Sequence, residues 1–276
     1  MPEALRVARS LVQVRAIAVT AFQETLRRKV FYLVAILAIF IIAMVSSGRV
    51  LLQMATEAGE MDTAASVRSG MVQNILEVWQ FAAIVLALFL GAVGVSSEIT
   101  AKTIVNVLSR PVGRAVYLGG RWVGVVTFLW LFQLIGILVA LVVARIFDVR
   151  FVSTLWLGFA KMLVDTVLLS GVSLGLSVFM PPVVAGAGAF LLQMTPGLVK
   201  DYLQHPFGVV RILALALYYL SPASMPSNLI QESFTTQLLH PNSSLYSQVL
   251  FENLLYSAAV FIAACAIFAR REPRLR

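Results

Sequence analysis

The sequence predicts an all-α membrane protein with six transmembrane helices, and three observations carry that prediction. Of the 276 residues, 60% are hydrophobic and only 12% are charged, whereas about a quarter of a soluble domain is charged. The apolar residues gather into stretches of about 20, the length that crosses a hydrocarbon core as a helix. Most of the 21 Lys and Arg residues lie beside these stretches, as in proteins that keep basic flanks in the cytoplasm.

The first 29 residues predict an amphipathic helix that lies on the membrane surface. Apolar residues such as Leu5, Val12 and Val19 recur at helical spacing, and arginines such as Arg6 occupy the remaining surface. The segment carries arginines throughout and has no continuous apolar region before a cleavage site. We therefore expect no removable signal peptide.

Six apolar stretches are predicted to be the transmembrane helices of a single membrane domain. They cover residues 30–45, 78–95, 122–144, 155–180, 183–199 and 249–269. Basic residues concentrate in the N-terminal segment, in the segment 96–114 and in the C-terminal tail. Because such residues are retained in the cytoplasm, we expect a multi-pass protein of the cell (inner) membrane with both termini inside.

Two other segments are predicted to belong to the outer side. Residues 46–77 are polar and acidic overall, which predicts an outer loop. Residues 207–220 are apolar but too few for a comfortable crossing, and they include Arg211, so we expect a re-entrant helix. If this stretch crossed the membrane instead, the C-terminal tail would lie outside.

The segment 96–114, between the second and third stretches, carries the most informative motif. Its pattern predicts a short amphipathic helix in which Ile104 and Leu108 contribute to an apolar face and which ends at Pro111. Such a helix would project from the membrane as a rigid element. The plainer alternative is a basic loop that only fixes the topology.

This motif resembles a segment known from the permease subunits of ABC-2 type ATP-driven exporters. That family has a Glu, a Thr, a hydrophobic stretch, then Leu-Ser-x-Pro-x-x-Arg and a Gly-Lys or Gly-Arg between its second and third spans. The matching residues here are Glu98, Thr103, Leu108, Ser109, Pro111, Arg114, Gly120 and Arg121. Lys102 stands where many members have Gly. The similarity also includes residues before the first stretch, such as Glu24, and the string from Tyr218 to Pro222.

The resemblance implies that the chain is the permease subunit of an exporter and forms the translocation pathway. In the family, the segment between the second and third spans is a coupling helix that docks into a groove of a separate ATPase. The residues expected to make this contact are Glu98, Thr103, Ile104, Leu108, Ser109, Arg110, Pro111 and Arg114. The expected partners are ABC ATPase subunits, a second permease copy or related permease, and membrane lipid, without nucleic acid.

The chain lacks the sequence patterns of an enzyme. The Walker A spacing Gly-x-x-x-x-Gly-Lys-Ser/Thr is absent, so we expect ATP and Mg only on the partner ATPase and no cofactor in this chain. His205 and His240 have no convergent Cys or acidic residues, so the sequence predicts no metal site. No catalytic set of Ser, His and Asp is readable.

Four residues within the apolar stretches are candidates for the pathway or for gating. Lys161 and Asp165 are four residues apart and can neutralise each other on one helix face. We interpret them as an interfacial pair near the outer end, with a substrate or proton path as the alternative. Gly171 and Gly175 form a small-residue face, which we interpret as a site of close helix packing, with a bend or gate as the alternative.

Two other classes of function remain as rivals. An ion-gradient-driven secondary transporter or channel would need ionisable groups near the membrane midplane and often has internal repeats, neither of which is evident. A membrane-embedded enzyme would need a convergent catalytic set. The permease hypothesis is therefore preferred, and it alone requires an ATPase that purifies with the chain.

Overall fold

The computed structural model describes residues 2–27, 30–100, 113–149, 155–204, 208–223 and 243–270. Within these ranges the chain is almost entirely α-helical and has no strand. The bounds are α1 Pro2–Arg27, α2 Val30–Glu57, α3 Met61–Thr100, α4 Arg114–Ile146, α5 Leu155–Ser177, α6 Pro182–Val199, a 3-10 helix Lys200–Gln204, α7 Gly208–Leu220 and α8 Ser243–Arg270. In the described residues, 6 helices are long and apolar enough to cross a membrane, namely α2 to α6 and α8. The prediction of an all-α membrane protein is confirmed.

Helices α2 and α3 extend well beyond the predicted spans. The sequence predicts an outer loop at 46–77, but α2 continues to Glu57 and α3 begins at Met61. Gly59 has a φ of 74° in the turn that joins them, a conformation that favours glycine. The polar residues of this region face outward, while apolar residues such as Ala64 and Met71 are buried. Residues 46–77 therefore keep a helical pattern of buried apolar positions although their mean hydropathy is lower than that of the predicted spans.

Helix α5 lies at the centre of the bundle, where it packs against α3, α4 and α8. Its side chains Met162, Leu168 and Leu169 are almost completely buried. By contrast, most of the surface of α2, α6 and α8 is exposed and apolar. Because lipid tails are as apolar as these side chains, the exposed surface suits a hydrocarbon environment.

The interface between α3 and α4 is locked by Trp79. Its indole ring stacks on Phe132 with ring centroids 4.7 Å apart, and its Nε1 donates a hydrogen bond to the Phe132 carbonyl oxygen at 2.9 Å. Gly136 leaves the space for this ring, since a Cβ there would lie 2.2 Å from Trp79 Cδ1. Gly136, one helical turn from Phe132, thus leaves room for the Trp79 indole to be buried.

The C-terminal end of α7 is joined to the middle of α8. Tyr256 Oη donates a hydrogen bond to the Leu220 carbonyl oxygen at 2.9 Å, and Asn253 Nδ2 donates one to the Ala223 carbonyl oxygen at 3.2 Å. Carbonyl groups at a helix end need such partners when water is absent. The short helix predicted at 207–220 is therefore present as α7, while its re-entrant course from the outer side stays a prediction.

Candidate functional site

Helix α1 lies directly against the first half of α4, near the end of the bundle where α4 begins. We call this end, where α3 and α5 also finish, the Arg114 end. A Cβ on Gly120 would lie 2.8 Å from Ile17 Cβ, and a Cβ on Gly124 would lie 2.6 Å from the Ala18 carbonyl oxygen. The two backbones therefore approach as closely as glycine allows.

The face of α1 that contacts the bundle includes only part of its predicted apolar face. Phe22 and Leu26, which continue the same helical spacing, pack against the core, with the ring centroids of Phe22 and Phe128 6.1 Å apart. Ala21 is buried at the contact, whereas Leu11, Val12 and Val19 remain exposed. Helix α1 thus has one face for the protein and another apolar face that faces away from it. The position of this helix on the membrane surface stays a prediction.

An ion pair reinforces the contact between α1 and α4. Arg121 Nη2 lies 3.2 Å from Glu24 Oε2, and the Arg121 side chain is only 8% exposed whereas that of Glu24 is 42% exposed. A buried guanidinium needs a partner because desolvation disfavours an isolated charge. Glu24 and Arg121 come from separate motifs of the sequence, and the structure brings them together.

Helix α4 is also fastened to the last turns of α8 at the Arg114 end. Arg114 Nη1 donates a long hydrogen bond, 3.5 Å, to the Phe268 carbonyl oxygen. Beneath it, Phe268 packs in an apolar cluster with Leu118 and Leu174. A cation near the last carbonyl groups of a helix is electrostatically favourable.

Most of the predicted coupling residues lie outside the described residues. This applies to Thr103, Ile104, Leu108, Ser109, Arg110 and Pro111. Of the other two, Glu98 falls in the last turn of α3, and Arg114 is the first residue of α4. The helix α3 runs to Thr100, past the predicted end of the second span at residue 95. The coupling role of all eight residues stays a prediction.

Lys161 and Asp165 lie side by side on α5 and pair with each other inside the bundle. Lys161 Nζ lies 2.6 Å from Asp165 Oδ2, and the side chains are 17% and 5% exposed. Asp165 is near the midpoint of α5, about 15 Å along the helix axis from Leu155. The carboxylate is thus enclosed by the bundle, and the interpretation as an interfacial pair stays a prediction.

Two glutamines that the sequence analysis missed complete this intramembrane cluster. Gln80 Nε2 of α3 donates a hydrogen bond to Asp165 Oδ2 at 3.4 Å. Gln133 Nε2 of α4 donates one to Gln80 Oε1 and another, at 3.4 Å, to the Met162 carbonyl oxygen. Gln133 is fully buried, and its Oε1 accepts no hydrogen bond. The only sequence signal was a polar amide within each of two long apolar stretches.

Comparison with known proteins decides the family. The sequence model described as ABC-2 family transporter protein matches residues 15–272, nearly the whole chain. The chain belongs to the ABC-2 transporter family. A search of curated proteins found no match. As a member of this family the chain is a membrane transport component, and such proteins generally pair with ATPase subunits.

In this ABC-2 protein, Gly171 and Gly175 lie where α5 meets α8. A Cβ on Gly171 would lie 3.0 Å from Ser257 Oγ, and a Cβ on Gly175 would lie 3.2 Å from Ala264 Cβ. These distances agree with the interpretation as close packing. A role of the two glycines in bending or gating stays a prediction.

The described part of the ABC-2 protein offers no cluster suited to a metal ion. Within the residues that the structure describes, no group of three or more His, Cys, Asp or Glu side chains converges. The ionisable residues inside the bundle are instead paired with one another, as Lys161 and Asp165 are. The functional features of the described chain are therefore helix contacts and polar networks.

Proposed function

We propose that this chain is the permease subunit of an ATP-binding cassette exporter, forms the translocation pathway and couples to a separate ATPase. The observation that carries the proposal is the family match over residues 15–272, together with the construction of the Arg114 end. There, the two longest helices of the bundle flank the segment that carries the coupling motif. ATP and Mg would bind the partner, and this chain would contribute no catalytic group.

The geometry suits mechanical coupling because the segment 101–112 connects two rigid rods. Helix α3 has 40 residues and α4 has 33, which corresponds to about 60 Å and 50 Å. Packed helices move as units because their interfaces are dense. A force applied to the segment would therefore reach the opposite end of the bundle through α3 and α4.

Helix α1 would move with α4. The close approach at Gly120 and Gly124 and the ion pair between Glu24 and Arg121 hold the two helices together. The first, basic helix would thus follow any displacement of the coupling segment. ATP binding drives such a change only if the ATPase contacts the two permease states with different free energies.

The test is whether variants of the coupling segment lose their ATPase partner while the permease itself stays folded. Glu98→Ala and Leu108→Ala should reduce both the yield of co-purified ATPase and its stimulation by the permease, because truncating a docking contact can cost about 2 kcal/mol of association or more. Glu60→Ala, in the turn between α2 and α3 at the other end of α3, is the matched control. If both coupling variants assembled and stimulated like that control, the segment would be only a topology-setting loop.

The enclosed Lys161 and Asp165 pair favours one second candidate, an ion-gradient-driven transporter. Ionisable groups at membrane depth are a hallmark of that class, and Asp165 is buried near the midpoint of α5. The two candidates differ in their energy source. Transport in sealed vesicles that survived an ionophore but required ATP and the partner ATPase would exclude the second candidate, and the reverse result would exclude the first.

A further inference from the structure

We propose that Gln80, Gln133, Lys161 and Asp165 form a latch at which α5 can separate from the pair α3 and α4. The latch itself is a property of this chain alone. Its use during transport rests on the proposed function, because ATP would then open it through the coupling segment.

The cluster consists of two pairs of side chains, and the shortest polar contact of each pair lies within that pair. Lys161 and Asp165, both on α5, pair with each other at 2.6 Å. Gln80 of α3 and Gln133 of α4 are joined by their own amide hydrogen bond. When the two parts move apart, the ammonium and the carboxylate stay paired, so no isolated charge is left in a medium of low dielectric constant.

Only weak contacts join the two parts. Gln80 Nε2 to Asp165 Oδ2 and Gln133 Nε2 to the Met162 carbonyl oxygen both measure 3.4 Å. Ordinary N–H···O hydrogen bonds measure about 2.7–3.2 Å, so these two are long. The polar contacts that join the two parts are therefore longer than ordinary hydrogen bonds. A further side-chain contact at this level, from Trp130 Nε1 of α4 to the Leu163 carbonyl oxygen of α5, is also long at 3.3 Å.

The cluster also has hydrogen-bonding capacity that this state leaves unused. Gln133 Oε1 is buried without a donor. The Lys161 ammonium has three N–H groups, of which one is used on Asp165 within the described chain. A buried acceptor without a partner favours any state in which it gains one. Displacement of α5 allows these groups to pair anew.

A stronger contact between α3 and α5 defines the pivot. Ser173 Oγ donates a hydrogen bond to the Leu88 carbonyl oxygen at 2.8 Å. At the same level, Gly91 allows close approach, since a Cβ there would lie 2.7 Å from the Ser170 carbonyl oxygen. Ser173 is about 12 Å along α5 from Asp165. Helix α5 can thus remain fixed near the Arg114 end while the latch level opens.

The experiment measures how often the latch opens. Thr166 is fully buried beside Asp165, and its hydroxyl bonds only within its own helix, to the Leu163 carbonyl oxygen. Thr166→Cys in a Cys265→Ala background therefore places a thiol at the latch with little disturbance. The rate of its reaction with a membrane-permeant maleimide, in the full chain reconstituted in nanodiscs, tracks the open population when opening is fast relative to labelling.

Gln80→Met should raise this rate about three-fold, because it removes the hydrogen bond to Asp165 Oδ2 and this factor corresponds to ~0.6 kcal/mol for a hydrogen bond within a membrane. Gln193→Met is the matched control, because Gln193 on α6 also has a buried amide oxygen without a partner. Gln80→Asn keeps the amide but shortens its reach, and it serves if the methionine variant does not fold. Equal rates in the Gln80 variant and the control would overturn the latch.

A second arm separates the latch from the proposed function. In the complex with the partner ATPase, ATP should raise the labelling rate of Thr166→Cys in the chain with all four latch residues intact. If the Gln80 variant raised the rate but ATP did not, the latch would stand and its use in transport would be overturned. Failure of the coupling proposal is read independently, from ATPase co-purification with the Glu98 and Leu108 variants.

Discussion

Replacing Gly124 with alanine is expected to lift α1 from α4. The new Cβ would lie 2.6 Å from the Ala18 carbonyl oxygen and 2.9 Å from Ala21 Cβ. The nearest atom belongs to the backbone, so no side-chain rotation can relieve the overlap. Such overpacking costs about 1–3 kcal/mol, which corresponds to roughly five-fold to more than a hundred-fold more of the detached state.

The measurement is maleimide labelling of Ala21→Cys in a background without the native cysteine. Ala21 is buried in the contact with α4, so its thiol should be protected until α1 detaches. Gly119→Ala is the matched control on the same helix, because its Cβ would meet only Phe261 Cζ at 3.8 Å, an ordinary contact. Both substitutions gain the same helix propensity. If Gly124→Ala labelled no faster than Gly119→Ala, α1 would not pack on α4 as described.

Three further outcomes are expected. Gly136→Ala should lower the free energy of unfolding in detergent by about 1–3 kcal/mol because it displaces the Trp79 indole, while Gly70→Ala, which has nothing within 4 Å, should not; equal stabilities would contradict the Trp79 contact. A cysteine at Asp62 should react with an impermeant reagent added outside sealed cells and one at Arg274 should not, and the opposite result would invert the topology. Tyr256→Phe should weaken the attachment of α7 by about 0.6 kcal/mol, seen as faster proteolysis near α7, and unchanged proteolysis would count against that attachment.

The number of long apolar helices was predictable because hydropathy over about 20 residues reports a crossing directly. The extension of α2 and α3 through 46–77 was not. Once a helix leaves the hydrocarbon it can carry polar residues on its outer surface, and mean hydropathy then no longer marks its end. The buried positions Ala64 and Met71 show that the helical pattern persists in this region.

The polar contacts of the site were only partly predictable. Lys161 and Asp165 are four residues apart on one helix, so their pairing follows from local geometry. The contact between Glu24 and Arg121 joins residues 97 positions apart, and nothing in one sequence fixes which helices meet. For the same reason the sequence shows Gln80 and Gln133 only as two separate amides in apolar stretches. Their hydrogen bond depends on the packing of α3 on α4.

The length of α3 makes it a long lever arm. A rod of about 60 Å in a hydrocarbon core of about 30 Å must project beyond the membrane. A tilt of about 5° around its midpoint would move each end by about 2.6 Å, from the 30 Å half-length of a helix with a 1.5 Å rise per residue. The turn at Gly59 would therefore be displaced when the opposite end of α3, near Thr100, is moved. Under the proposed coupling to an ATPase, reciprocity requires that any molecule that binds this turn in one tilt but not in the other also alters ATP binding by that partner.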